Sequence, residues 1–405
     1  MVRDRLLPAL EVLLGPGAGD VVQAAVGAAG GLLIAVERRQ VLYRPGEHAS
    51  VRYAADVSWA GGAPVAETIV AVTTSGGPPP GTLVVAAGDL AVGLFRYPDD
   101  PALPGLPIAT SPRAVAERLG LGTPGQPLAV RTYRPGRRAV VHAREPAAPP
   151  GQGWAREQYL KVVPPAEAAD VRDGLAELRG HLPVPVVAAT WPDLGIVALE
   201  ALPGRTIREV LLAGSPRDVA DLPDGRAVLD LLERFPTPGP AAPRRRGPIS
   251  RASGHAELLA AVLPAERARL NALVRRLGEP SGGRARTAVH GDLHEAQLLV
   301  DGPLLSGILD LDDTGRGHRV DDLATMLGHL ATLATAVPRR RARIERYLAT
   351  LRPAFAEASD AGELRRATAA VILGLATGPF RVQQRDWRRR AGARLSLAEA
   401  WLAET

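Results

Sequence analysis

Between residues 289 and 324 the chain sets imidazoles, acids and an amide at short intervals. The runs are Val289-His290-Gly291-Asp292-Leu293-His294-Glu295-Ala296-Gln297, Gly307-Ile308-Leu309-Asp310-Leu311-Asp312-Asp313 and Asp321-Asp322-Leu323-Ala324. Apolar residues flank the polar points, so strand ends and a tight loop are expected to aim Asp292, Gln297 and Asp310 into one spot. Phosphoryl transfer needs that set: a carboxylate that orients and deprotonates an attacking hydroxyl, and oxygen ligands for a Mg²⁺ bridging the phosphates. A cation for the phosphates comes from an unusual choice of basic residues. Of 49 Lys and Arg, one is lysine, Lys161, in the strand-like run Gln158–Val163. The guanidinium is a broad planar fork and no substitute for a compact ammonium, so one lysine kept in an arginine-rich chain is read as a nucleotide contact.

Other chemistries fit the same residues less well. His290-x-Asp292-x-His294 also has the spacing of a metallohydrolase cluster, but hydrogen bonding within the loop is the preferred role for both histidines. Asp322 is read as an acceptor that holds the loop. Asp312 and Asp313 stay open between metal-side carboxylates and turn residues.

The elements that must position these groups follow from turns and periodicity. One or two short helices are expected in residues 1–30. Tyr43-Arg44-Pro45-Gly46, flanked by Val41-Leu42 and Ser50–Ala54, reads as strand, turn, strand, because Pro fixes φ at the second turn position and Gly accepts positive φ at the third. The same Tyr-Arg-Pro-Gly hairpin returns at Thr132–His142, too few copies for a solenoid. β-type runs fall at Glu67–Thr73 and Gly81–Ala87, and the Pro/Gly-rich stretch Pro98–Pro112 is the expected boundary between the two hairpin regions. A polar loop (Arg144–Gly153), the Lys161 strand, a helix over Ala166–Gly180 and an apolar run Gly195–Leu202 come next. Beyond Gly204 helical periodicity dominates, over Ile207–Ala213, Ala227–Arg234, His255–Leu277, Asp321–Ala336, Arg339–Leu351, Ala361–Leu375 and Leu395–Ala403. An Arg/Pro-rich loop, Phe235–Ser253, and the β-like segment Ala288–Asp313 interrupt it.

With His-Gly-Asp at 290–292, an amide five residues on, Ile308-Leu309-Asp310 and a closing Asp322-Leu323-Ala324, the sequence resembles the aminoglycoside phosphotransferase and choline kinase superfamily over about residues 128–380. The resemblance implies a protein-kinase-like bilobal α+β fold and transfer of the γ-phosphate of ATP (or GTP), with Mg²⁺, to a hydroxyl of a small molecule. It implies Asp292 as catalytic base, Asp310 and Gln297 as metal ligands, Lys161 on the α/β-phosphates, and Glu200, Ala201 and Leu202 as the hinge whose backbone meets adenine. The family's usual Asn is Gln297 here; Gln keeps the carbonyl oxygen and adds one methylene. His-Gly-Asp-x-His-x-x-Gln is also similar to the motif of maltokinase-like members, which carry an extra N-terminal β-rich cap. The expected division is accordingly a cap at 1–120, a nucleotide lobe at 121–203 and a helical lobe at 204–405. Arg134-Pro135-Gly136-Arg137-Arg138 stands where a Gly-rich loop is usual, so phosphate contact there falls to Arg137, Arg138 or backbone amides. For Lys161 the expected acidic partner is Glu177, with Glu167, Asp170 and Asp173 as alternatives.

Composition narrows the rest. Cysteine is absent, which removes disulfides, thiolate metal sites and cysteine nucleophiles, and fits a reducing cytoplasm. A phosphate loop of the G-x-x-x-x-G-K-[ST] type has only Lys161 available, in no glycine-rich context. With 43 glycines and 37 prolines, about a fifth of the 405 residues, the chain stays below the roughly 25–30% of low-complexity sequences. Net charge is only +6, and the arginine runs 244–246, 339–341 and 388–390 lack interleaved aromatics, so they are read as solvated faces and no nucleic-acid partner is expected. The apolar stretch 21–36 is short of the roughly 20 residues that span a bilayer, so no membrane partner is expected. Trp191 and Trp387 are assigned to the core before any stacking role. Arginines at 365, 366, 381, 385 and 388–390 disfavour a polycationic acceptor and favour a neutral or anionic hydroxylated metabolite such as a sugar. The competing reading is a kinase-shaped binding protein that holds its ligand without turnover.

Overall fold

The computed structural model describes residues 2–88, 90–121, 125, 127–144, 157–280 and 286–404. Helices Ala9–Leu14 and Ala18–Ala28 open the chain. They pack Leu10, Leu13, Val22 and Val26 onto a five-stranded antiparallel sheet. Its strands are β1 (Gly31–Arg44), β2 (His48–Trp59), β3 (Val65–Thr74), β4 (Leu83–Ala87) and β5 (Leu90–Arg96), in the order β1-β2-β3-β5-β4. The Pro45-Gly46 turn joins β1 to β2, with Gly46 at φ +75° and Glu47 N–H donating to Arg44 O at 3.1 Å. β1 begins at Gly31 rather than near Val41. Its first ten residues sit in an edge strand and alternate between half-buried and exposed without becoming fully buried, and their residue types, Gly-Leu-Leu-Ile-Ala-Val-Glu-Arg-Arg-Gln, do not follow that alternation.

Short helices Leu106–Ala109 and Pro112–Leu119 follow. A second five-stranded sheet then repeats the order of the first: β6 (Leu128–Arg134), β7 (Arg138–Arg144), β8 (Glu157–Val162), β9 (Val187–Trp191) and β10 (Ile196–Glu200) run β6-β7-β8-β10-β9, all antiparallel. Helix Ala168–Leu178 lies between β8 and β9 in the chain. Residues 145–153 of the expected polar loop lie outside the described residues. Leu103, Leu106, Val115 and Leu119 pack with Val70 and Val72 of the first sheet and Val141, Leu160 and Ile196 of the second, so one apolar layer joins the sheets.

Ten helices occupy the rest of the described chain beyond Gly204. Helices Ile207–Ala213 and Ala361–Leu375 match their sequence expectations. His255–Leu277 does not form one helix. The structure has Pro248–Val262 and Arg267–Leu277, separated where Leu263 (φ −130°, ψ 69°) precedes Pro264, whose ring disfavours a helical residue before it. The Arg/Pro-rich loop likewise ends at Gly247, because Pro248 suits the first position of a helix. Three small pairings seat the segment from His290 to Asp313: β11 (Arg205–Thr206) on β13 (Leu298–Asp301), β13 on β14 (Leu304–Ile308), and β12 (Thr287–Val289) on β15 (Gly315–Gly317). Helices Arg319–Ala336, Ala361–Leu375 and Trp387–Ala403 form the core beneath them. Trp387 is half-buried, edge-on to Phe380 at 5.0 Å, and Trp191 packs at the margin of the layer between the sheets. Among the described residues no helix is long and apolar enough to cross a membrane.

Candidate active site

β12 delivers His290-Gly291-Asp292 at its end, and the buried Asp322, in the first turn of helix Arg319–Ala336, holds that loop. Its Oδ2 accepts from His290 N–H at 2.7 Å and its Oδ1 from Gly291 N–H at 2.9 Å. Gly291 takes φ +86°, and a Cβ there would stand 2.2 Å from Asp313 O, so only glycine fits. The buried imidazole of His290 donates from Nε2 to Leu309 O at 2.9 Å, which leaves Nδ1 to accept from Asp292 N–H at 3.3 Å. Burial, reinforced by the neighbouring carboxylates of Asp310 and Asp313 and opposed by His290, pushes the Asp292 carboxyl up to about 6.

β14 ends at Ile308 and delivers Asp310, which adopts a left-handed backbone (φ 55°, ψ 57°) that Asp and Asn tolerate better than most residues. Burial alone would raise its carboxyl; Arg138 and Lys161 outweigh that and lower it. Arg138 reaches across from the β6–β7 turn and grips Asp310 with both terminal nitrogens, Nη1 to Oδ1 at 3.0 Å and Nη2 to Oδ2 at 2.9 Å, while Nη1 also meets Asp312 Oδ2 at 2.6 Å. Arg137 beside it is exposed. Lys161, in the middle of the second sheet opposite Val140 and Val197 and 7% exposed, pairs with Asp312. The expected partner Glu177, on helix Ala168–Leu178, is exposed along the same cleft and makes no ion pair among the described residues. Asp312 is thus the acid that sequence reasoning left open. Arg245, from a cluster read as solvated, also serves this turn, donating to Asp312 O at 2.8 Å and Thr314 O at 3.0 Å.

Gln297 lies beside Asp310, its Nε2 3.3 Å from Asp310 Oδ2 and 3.3 Å from His294 Nε2. Nδ1 of His294 accepts from Ala296 N–H at 3.2 Å, so Nε2 carries the proton. The ring stacks on His329 at 4.2 Å and 5°. Burial, with Arg208 nearby, depresses His294 to about 4 and holds His329 well below its usual range, so both are neutral at pH 7. Asp292, His294 and His329 have candidate ligand atoms within 4.8 Å of one another. The in-plane lone pairs of two stacked rings lie in parallel planes, however, and cannot meet at one ion unless a ring turns, which disfavours the metallohydrolase arrangement.

Lys161, Arg138, Gln297, Asp310 and Asp312 line one cleft of about 1190 Å³, together with Glu177 and the segment Glu200-Ala201-Leu202. Asp292, His290, His294 and Asp322 lie outside that lining. In that segment, Glu200 N–H donates to Val186 O at 2.9 Å and Ala201 N–H to Glu157 O at 3.0 Å. Leu202 is the one of the three whose N–H has no partner among the described residues. Asp310 and Asp312, with the Gln297 amide beside Asp310, offer hard oxygen donors at this point of the cleft, a set suited to Mg²⁺ and poorly suited to softer metals.

The chain is similar to several solved structures at low identity. Aminoglycoside phosphotransferase APH(4)-Ia, a thermostable mutant in ternary complex with ADP and hygromycin B, is 13% identical with a TM-score of 0.51, covering 73% of this chain and 99% of its own. A choline/ethanolamine kinase family protein from Mesorhizobium loti is 16% identical (TM-score 0.44; 74% and 93% covered). Macrolide 2'-phosphotransferase MphH from Brachybacterium faecium is 18% identical (TM-score 0.37; 69% and 96% covered). No curated protein sequence matches the chain. The likeness to the hygromycin-bound enzyme concerns the fold, a kinase-like α+β architecture preceded here by an additional β-rich cap. The model of the phosphotransferase enzyme family matches residues 151–366, more than half of the 405 residues and the whole span from Lys161 to Asp322, and the chain belongs to that family.

Proposed function

We propose that the protein is a small-molecule kinase that moves the γ-phosphoryl group of ATP, or GTP, to a hydroxyl of a small acceptor, with Mg²⁺. The reading is carried by the convergence of Lys161 from the second sheet with Asp310, Asp312 and Gln297 from the helical part in one cleft. Asp310 and Gln297 would hold the metal, the latter through its amide oxygen, which the Nε2–H of His294 can steady once the amide turns over. Mg²⁺ held there would neutralise phosphate charge. Lys161 and Arg138, released from the carboxylates, bind phosphate oxygens, with Arg137 at the rim, and Leu202 N–H is the free hinge donor for a base. Asp292 orients the acceptor hydroxyl and takes its proton as that oxygen bonds to the γ-phosphorus; the bond to the bridging β–γ oxygen breaks and the nucleoside diphosphate leaves.

In this reading residues 1–120 are the cap, 121–203 the nucleotide lobe and 204–405 the helical lobe. The cleft is mixed in charge, with seven basic and nine acidic side chains along its lining, so it does not by itself choose between a cationic and an anionic acceptor. The His-Gly-Asp-x-His-x-x-Gln motif directs the first screen to sugars, with aminoglycosides beside them.

The test is thermal stabilisation by ATP or GTP with and without Mg²⁺, followed by phosphate transfer to a sugar panel. A Mg²⁺-dependent shift abolished by Asp310→Ala supports the reading. A second reading, a ligand-binding protein without turnover, is favoured by one observation: Arg138 already neutralises the metal-side carboxylates. Mg²⁺-dependent nucleotide binding with no transfer to any acceptor would select it.

A further inference from the structure

The two Tyr-Arg-Pro-Gly hairpins belong to a longer repeat. Ahead of each stands Asp-x-x-Leu-Pro-x-Leu, as Asp4-Arg5-Leu6-Leu7-Pro8-Ala9-Leu10 and as Asp100-Pro101-Ala102-Leu103-Pro104-Gly105-Leu106. The backbone bonds match: Leu7 N–H to Asp4 O at 3.2 Å and Leu10 N–H to Leu7 O at 2.9 Å, then Leu103 N–H to Asp100 O and Leu106 N–H to Leu103 O, both 2.9 Å. All four leucines are fully buried. Two short helices, the hairpin and three further strands in the same sheet order follow each copy.

The side-chain bonds match as well. In the first copy Asp4 Oδ2 accepts from Tyr43 OH at 2.9 Å and from Gly46 N–H at 2.7 Å. In the second, Asp100 Oδ2 accepts from Tyr133 OH at 3.0 Å and from Gly136 N–H at 2.8 Å, and its Oδ1 accepts from Ala102 N–H at 3.0 Å. Each aspartate therefore ties the start of its unit to the glycine of the hairpin turn. Asp100 is 3% exposed, and a buried carboxylate fixed by three donors has little rotational freedom.

What the turns carry differs. Two residues after the turn glycine, the first copy has His48 and the second Arg138. Ser50 pairs with Val72 in the first sheet where Val140 pairs with Lys161 in the second. The first copy thus keeps the scaffold without either phosphate-binding cation.

We propose that Asp100 is a positioning residue for the nucleotide: by fixing Gly136 it sets the β6–β7 turn so that Arg138 reaches Asp310, Asp312 and the incoming phosphates. The proposal rests on the kinase reading above, and Asp4 supplies its internal control, the same bonds in a copy that faces no nucleotide.

The experiment compares Asp100→Ala, Asp100→Asn, Tyr133→Phe and Asp4→Ala in the full chain, recording Tm, the Kd of Mg·ATP by calorimetry, and KM against kcat. Expected is a rise of about tenfold in Kd and KM for nucleotide in Asp100→Ala with kcat within about twofold, a smaller rise of about threefold in Tyr133→Phe, and partial rescue in Asp100→Asn, which keeps an acceptor oxygen. Asp4→Ala is expected to lower Tm while leaving both nucleotide constants within about twofold of the wild type. Should Asp100→Ala fail to fold, Tyr133→Phe, which removes one hydroxyl, carries the comparison. If the Asp100 and Tyr133 variants bind Mg·ATP like the wild type, or if Asp4→Ala weakens nucleotide as much as they do, the positioning role is overturned while the kinase reading stands. A wild type that binds no nucleotide overturns the kinase reading and this role with it.

Discussion

Arg138 and Asp310 form a two-point ion pair across the cleft, from the turn of the second sheet to the segment just after β14. Two parallel charge-assisted bonds make this a strong, directional contact, which with the Lys161–Asp312 pair joins the two sides of the cleft. A cation that neutralises Asp310 competes with any other cation for the same oxygens.

Replacing Arg138 by Met should therefore have opposite effects on the two components of Mg·nucleotide. The Mg²⁺ concentration for half-maximal activity should fall, because the competitor is gone, and KM for nucleotide should rise by about tenfold, because a phosphate contact is gone. A Mg²⁺ titration at saturating nucleotide checks the first; an unchanged or higher Mg²⁺ requirement would show that the pair does not compete with the metal.

Asp292 must be ionised to accept a proton, and its carboxyl is pushed up to about 6 by burial and the acids beside it. Activity should then rise with pH through about 6 and level off above it, with kcat/KM falling tenfold per unit on the acid side. Asp292→Asn should lose about 10²–10⁴-fold in kcat with nucleotide affinity retained. An acid limb below pH 4.5 would mean that another group governs the profile.

The Gln297 amide stands 3.3 Å from Asp310 across a loop already fixed by Gln297 N–H to His294 O and Leu309 N–H to Gln297 O. Shortening the side chain by one methylene withdraws the amide from that acid without moving the backbone. Gln297→Asn, although it restores the family's usual residue, should lower kcat about tenfold at fixed Mg²⁺ and raise the Mg²⁺ requirement. Equal or better activity in this variant would show that the loop follows the side chain.

Asp321 bears on stability rather than turnover. Burial and the adjacent Asp322 push its carboxyl up to about 7, and it packs where a Cβ on Gly247 would lie 2.5 Å from its Oδ1. Between the unfolded value of 3.8 and about 7 the native state holds the extra proton, so this group makes stability fall as pH rises through that window. Asp321→Asn should flatten the Tm profile between pH 5 and pH 8 and raise Tm at pH 8 by about 2–4 °C. A profile parallel to the wild type would remove Asp321 as its source.

Much of this was legible in the residues because the signals are local. Pro45-Gly46 and Pro135-Gly136 announce their hairpins through their own φ preferences, and Ala361–Leu375 announces itself by apolar spacing. His290-Gly291-Asp292 is readable because Gly291 lets backbone pass against Asp313. What escaped depends on contacts between distant residues. Lys161 finds Asp312 through the approach of the second sheet to a short turn after β14, and no spacing distinguishes that acid from Glu177 on a helix near in sequence. The break at Leu263 was visible in Pro264 but outweighed by apolar periodicity on both sides. Arg245 looks like surface charge until the carbonyls of Asp312 and Thr314 are seen to turn toward it.

The first sheet also touches the far end of the helical part, where Arg38 of β1 donates to Gln383 Oε1 at 2.7 Å and to Leu14 O at 2.7 Å. The second sheet is thus tied to the helical part at the chain after Glu200, at the Arg138 and Lys161 ion pairs across the cleft, and, through the cap, at the stretch after helix Gly378–Arg381. The last of these ties lies away from the cleft, so it restrains the sheet like a stay that holds a mast from behind. Arg38→Met, which slips that stay, should speed nucleotide release without altering any group placed against the nucleotide; an unchanged off-rate would show that the cap rides along without restraining it.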